Sequence, residues 1–255
     1  MKTLFNPKLA QGYKSASQKI RVLTEGWVDA EIFCPNCGTN VSAYENSRPV
    51  ADFYCSKCQE EYELKSKKNY IGHKIVDGAY RTMIERLQDE HNPNFFLLSY
   101  NPIQQRVLNF FVIPKHFFVP SIIERRKPLA ETARRARWVG CNILLQSIPH
   151  SGKIFYVKNG ELESRDQVLK NWRRTLFLRE AKKEELRGWI LDVMSCIDRQ
   201  GKSTFTLNEI YAFENWLAQK HPNNGHIKDK IRQQLQLLRD RGYLRFVERG
   251  VYQLV

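Results

Sequence analysis

In residues 14–31, KSASQKIRVLTEGWVDAE, the apolar positions Ile20, Val22, Leu23, Trp27 and Val28 fall near the spacing of one helix face. The serines before them suit an N-cap, so a first helix is predicted here. From 50 to 65 the pattern switches to short strands, and 77–92, DGAYRTMIERLQDEHN, is helical again until Asn92-Pro93 stops it. Two apolar runs, NFFLLSY at 94–100 and VLNFFVI at 107–113, read as strands. KIFYV and a partner after Asn159-Gly160 read as a hairpin. Helix, strands, helix, strands predicts an α/β core with a central mixed sheet.

The segment 179–188, REAKKEELRG, is almost wholly charged and interrupts this pattern. It predicts a domain boundary, with one domain over 1–181 and another over 182–255. Beyond it, GWILDVMSCI reads as a helix, and TLNEIYAFENWLAQ as a second one that opens on a capping box, Thr206 with Glu209. HIKDKIRQQLQLLRDRG is a third helix, ending at Gly242. YLRFVERGVYQLV alternates around Arg249-Gly250 as a terminal hairpin does. Three helices and a β-hairpin form the winged-helix plan, a helix-turn-helix variant.

Composition adds a partner. Lysine and arginine outnumber aspartate and glutamate by 41 to 27, a net charge of +14 in 255 residues, which points to a polyanion. Nucleic acid fits best. No apolar run approaches the roughly 20 residues of a spanning helix, and the first residues lack a signal-peptide apolar region. A cytoplasmic protein without a membrane partner is the expectation.

The six cysteines are not read as a disulfide framework, because a chain of this size in a reducing compartment does not need one. Cys34 and Cys37 form one CxxC and Cys55 and Cys58 another, with 17 residues between them, as in a four-thiolate Zn²⁺ site. Two redox CxxC pairs are the alternative. Cys141 and Cys196 stand alone and read as buried structural thiols.

The second knuckle is wrapped in a different chemistry. Glu63 and Lys65 are two apart, so on a strand they share a face, while Tyr62 and Leu64 take the other. Asp52 precedes the knuckle, and two strands joined by it bring Asp52 beside that face. Two carboxylates and an ammonium suit phosphodiester hydrolysis, giving oxygen ligands to a hard Mg²⁺ and a cation to orient and acidify the attacking water. Asp, ten residues, Glu-x-Lys is the PD-(D/E)xK nuclease pattern, here with Pro49 three places before Asp52. The competing reading is a solvated strand face with alternating charges.

The same residues carry a broader likeness. CPNCG, RPVADFYC, YELKSKK, VDGAY, NPNFF, RKPLA with TARRA and GCNI, and HIKDKIRQQLQ resemble, in order and over nearly the whole chain, the DpnI-type methyl-directed (type IIM) restriction endonucleases. The resemblance implies a PD-(D/E)xK restriction-endonuclease-like α/β core with an inserted four-cysteine zinc site and a C-terminal winged helix. It also implies Mg²⁺-dependent cutting of double-stranded DNA at GATC when its adenine is N6-methylated. Asp52, Glu63 and Lys65 are then the catalytic set, with Asp52, Glu63 and the Leu64 carbonyl on Mg²⁺. Cys34, Cys37, Cys55 and Cys58 are the zinc ligands.

An N6-methyl group lies in the major groove, which admits a helix. In the third C-terminal helix, Ile231, Leu235 and Leu238 face a core, leaving Lys228, Lys230, Arg232, Gln233 and Gln236 on the outer face. Gln pairs with adenine and Arg with guanine, so Arg232 and Gln233 suit GATC. A second basic cluster, RRKPLAETARRARW at 125–138, offers Arg134, Arg135 and Arg137 to phosphates and Trp138 to the methylated base. A core tryptophan is the plain alternative for Trp138. Two other functions use the same features: a zinc-containing winged-helix regulator without catalysis, and a nuclease of this fold with another methyl specificity.

Overall fold

The structure is a computed structural model describing residues 1–45, 51–87, 92–181 and 183–255. Pro49 and residues 88–91 of the predicted second helix lie outside the described residues. The chain forms two compact units, 1–146 with 151–173, and 147–150 with 174–255.

The first unit contains, in order, α1 (Ala16–Glu31), β1 (Ser42–Ala43), β2 (Phe53–Tyr54), β3 (Glu61–Lys68), β4 (Lys74–Ala79), α2 (Tyr80–Leu87), β5 (Asn94–Asn101) and β6 (Arg106–Ile113). It continues with β7 (Ile123–Arg125), β8 (Gly140–Leu144), β9 (Ile154–Lys158), β10 (Glu161–Leu162) and α3 (Arg165–Arg173). Among the described residues, seven strands form the central sheet in the order β1-β2-β3-β5-β6-β9-β10. The sheet is mixed, as predicted: β3 and β5 run parallel and the other pairs antiparallel.

β5 lies between two strands and is covered on both faces, which is why its sequence is an apolar run without alternation. α1 covers one face of the sheet by burying Leu23, Thr24, Trp27 and Val28, with the Trp27 ring edge-on to Phe110 at 5.2 Å. Phe96 is the hub of that layer, stacked on Tyr62 at 4.3 Å and packed on Phe110 and Tyr156. Ser15 does occupy the N-cap position of α1, but its hydroxyl bonds to Ser17 and not to a helix N–H.

One predicted element is corrected. Residues 77–79 are not helical; they end β4, and α2 starts at Tyr80. The helical spacing of Met83 and Leu87 hid a strand whose own residues, KIVDGA, carry a glycine at an irregularity between Asp77 and Ala79. β4 belongs to a second sheet, in the order β4-β8-β7, that the periodicity did not announce.

The second unit contains α4 (Glu184–Gln200), β11 (Thr204–Thr206), α5 (Leu207–Tyr211), α6 (Glu214–Lys220), α7 (Ile227–Asp240), β12 (Leu244–Glu248) and β13 (Val251–Leu254). The charged run thus ends inside a helix, since α4 begins at Glu184. The predicted second helix is interrupted at Ala212 and Phe213 into α5 and α6. Its capping box is present, with the Thr206 hydroxyl accepting from the Glu209 N–H and Glu209 accepting from the Thr206 N–H. The strand order β11-β13-β12 beside these helices completes a helix-turn-helix domain with a hairpin wing. Gly242 and Gly250 sit at φ 69° and 76°, left-handed turns that end α7 and close the hairpin.

Candidate active site and the four-cysteine cluster

Cys34, Cys37, Cys55 and Cys58 come together with all four Sγ atoms within 4.8 Å of one another. The knuckles fold alike: Gly38 N–H bonds to Cys34 O and Cys34 N–H to Thr39 O, as Gln59 N–H does to Cys55 O and Cys55 N–H to Glu60 O. Sγ–Sγ distances of 3.4 Å, Cys34 to Cys58 and Cys37 to Cys55, approach the about 3.8 Å edge of a tetrahedron with 2.3 Å metal–sulfur bonds. Burial pushes the Cys34 thiol up, relieved in part by a hydrogen bond from Tyr62. At Cys37 burial acts upward too, but bonds from the Thr39 amide and hydroxyl and from the neighbouring cysteines bring it down to about 7. Cys37 is thereby drawn toward the thiolate, the form that binds metal.

This cluster is fastened from two directions. Tyr62, buried on β3, donates its hydroxyl to Cys34 Sγ at 3.1 Å. From α3, Trp172 Nε1 donates to Asn36 Oδ1 at 3.1 Å, and Arg165 donates to Gly38 O while its guanidinium lies 5.0 Å over the Phe33 ring.

β3 carries the other chemistry on its opposite face. Tyr62 and Leu64 are in register with Asn94 and Phe96 of β5, and Glu63 and Lys65 with Phe95 and Leu97, so the alternation predicted from the sequence is present. The knuckle returns the chain so that Phe53 pairs with Tyr62. Asp52 then lies just before β2, its N–H bonded to Tyr62 O and its carbonyl to Tyr44 N–H, both at 2.9 Å. Its Oδ2 accepts the Leu64 N–H at 2.7 Å. A strand residue directs its N–H and C=O to the same edge, so the Leu64 carbonyl opens toward Asp52.

Lys65 Nζ lies 2.5 Å from Glu63 Oε1 and 2.6 Å from Oδ1 of Asp77, which is contributed by β4. Burial pushes the Glu63 carboxyl up, and although Lys65 pulls it down, the charges of Asp77 and Asp52 add to the rise. Burial acts downward on Lys65, but the two carboxylates outweigh it and raise the ammonium to about 12. Among the described residues, the four cysteines are the group that converges closely enough to hold an ion; the carboxylates are spread, with Lys65 between two of them. Asp77 stands on β4, within the run 77–92 that reads as a helix in the sequence.

The expected DNA-facing residues lie in both units. Arg134, Arg135 and Arg137 are exposed on a loop closed by bonds from Leu129 N–H to Trp138 O and from Arg137 N–H to Leu129 O. Arg137 is paired with Glu131 at 2.8 Å. Trp138 is half-buried and is not a core tryptophan; its ring lies against the backbone of Gly140, where a Cβ would meet it at 2.7 Å. On α7, Ile231, Leu235 and Leu238 are buried as predicted, together with Ile227 and Gln234. Gln233 and Gln236 are exposed. Lys228 and Arg232 are exposed but flank Tyr211, with Lys228 3.2 Å from Glu214, and Lys230 is half-buried on the flank of the helix. Cys141 and Cys196 are buried thiols.

Two family models match. That of the DpnI, or Dam-replacing, family matches residues 1–181, and that of its C-terminal Dam-replacing helix-turn-helix domain matches 185–254.

Proposed function

The chain belongs to the Dam-replacing family, the methyl-dependent restriction enzymes of the DpnI type, and from that we propose that it is an endonuclease hydrolysing double-stranded DNA at GATC with N6-methylated adenine. The reading divides the chain into a PD-(D/E)xK catalytic domain, 1–181, and a winged-helix DNA-binding domain, 182–255. The observation that carries it is the β2–β3 hairpin, where Asp52, Glu63 and Lys65 assemble around the Leu64 peptide.

Asp52, Glu63 and the Leu64 carbonyl would hold Mg²⁺ through oxygen atoms, the donor type that ion takes. That ion, when bound, supplies Lewis-acid stabilisation of charge on the scissile phosphate. Burial pushes the Glu63 carboxyl up, and a bound cation would act against that rise by favouring the charged form. In this reading Lys65 orients and acidifies the attacking water, the 3′ oxygen leaves, and a 5′-phosphate remains. Zn²⁺ is the proposed occupant of the four cysteines, where it fixes the turn between the two catalytic strands.

Arg134, Arg135 and Arg137 are proposed to grip phosphates, Trp138 to flank the methylated base, and α7 to enter the major groove with Lys228, Lys230, Arg232, Gln233 and Gln236. One methyl group in an apolar pocket discriminates by about 1–3 kcal/mol, so reading the mark twice multiplies the selectivity. The test is one plasmid, with and without adenine methylation at GATC, incubated with Mg²⁺ and sequenced at its ends. Cutting confined to methylated GATC is expected from the native protein. D52A and E63Q are expected to bind the methylated DNA without cutting it; firm binding without cutting by the native protein would make it a regulator.

A further inference from the structure

Lys65 has two partners where one would neutralise it. Glu63 and Asp77 reach its Nζ at 2.5 and 2.6 Å, and the Asp77 side chain is only 7% exposed. Asp77 does not come from the catalytic hairpin. It stands on β4, held in register opposite Cys141 of β8, next to the irregularity between Asp77 and Ala79. The adjacent Gly78 carbonyl accepts from the Cys141 thiol at 3.5 Å. The second sheet therefore presents one buried carboxylate to the ammonium of the first.

A cation on Glu63 and the ammonium of Lys65 compete for the same carboxylate oxygens. With a second, fixed partner, Lys65 can give up Glu63 without leaving the site or standing unpaired in a half-buried position. We infer that Asp77 is the positioning residue for Lys65, holding it beside Glu63 when a divalent cation takes that carboxylate. This rests on the catalytic reading of Asp52, Glu63 and Lys65. Without Asp77, Lys65 stays on Glu63 and opposes the cation.

The test is a double-mutant cycle read by calorimetry, titrating Ca²⁺ into the full-length protein bound to a methylated duplex. D77N is expected to weaken Ca²⁺ binding about tenfold in the native background, and by less than about twofold when Lys65 is already K65M, as coupled contacting charges do. D77E is expected to restore most of the affinity. Equal losses in both backgrounds would overturn the inference, because Asp77 would then act by its own charge or as a ligand. No loss in either background would also overturn it. Should D77N fail to fold, D77S gives the same comparison. E63Q separates the two levels: if it leaves Ca²⁺ binding intact, the catalytic reading itself falls; if it abolishes binding while D77N is silent, only the role of Asp77 falls.

Discussion

Tyr62 joins two chemistries that lie on opposite faces of one strand. Its hydroxyl bonds to Cys34 and its ring stacks on Phe96, while its neighbour Glu63 faces Lys65. Y62F keeps the stack and deletes the bond, so a loss of about 1–2 kcal/mol is expected from urea unfolding. An unchanged midpoint would mean that the four-cysteine cluster does not lean on β3. The period of two made the shared face of Glu63 and Lys65 legible in the sequence. Asp77 was not legible, because its pairing with Lys65 crosses from one sheet to another and leaves no local pattern. On α7 the spacing does put Gln234 on the buried face, three residues after Ile231 and four before Leu238, and only its polar side chain argued against it. That Lys228 and Arg232 would turn to Tyr211 was not legible, because Tyr211 lies on another helix.

The elements that announced themselves were those with one apolar face or a strong punctuation mark, such as α1, α7 and the hairpin at Asn159-Gly160. Those that did not were short or mixed in character, as in β4, whose charges and glycine obscured its alternation, and in β7, three residues long. α5 gives a clean test of a local signal. Glu209 is lowered to about 2 from an ordinary 4.5, first by its bond to Lys202 and then by the Thr206 N–H. A carboxyl depressed in the folded state stabilises it above the unfolded value and loses that contribution as pH falls through the folded one. The thermal midpoint of E209Q is therefore expected to lie below that of the native protein at pH 6. The gap should begin to close below pH 4.5 and vanish near pH 2. A gap independent of pH would remove the charged cap from the account.

The charge of +14 and the helix-turn-helix domain both suit a polyanion. Affinity for DNA should fall linearly with the logarithm of salt concentration, and R134A and R135A should each reduce that slope by about 1 if each meets a phosphate. An unchanged slope would assign the loop another task. Metal removal is expected to act on one unit alone: a strong chelator should lower the unfolding temperature of the first unit and leave that of the second unchanged. Joint unfolding at one lowered temperature would contradict this. No helix among the described residues is long and apolar enough to cross a membrane.

The grip of α3 on the first cysteine knuckle has a consequence for the nascent chain. Trp172 and Asn36 are 136 positions apart, and Arg165 and Gly38 are 127 apart. All four cysteines emerge from the ribosome long before α3 does. The thiols can gather early, but the turn that holds them is clamped only when nearly the whole first unit has been made, so its closure is a late, long-range event in synthesis.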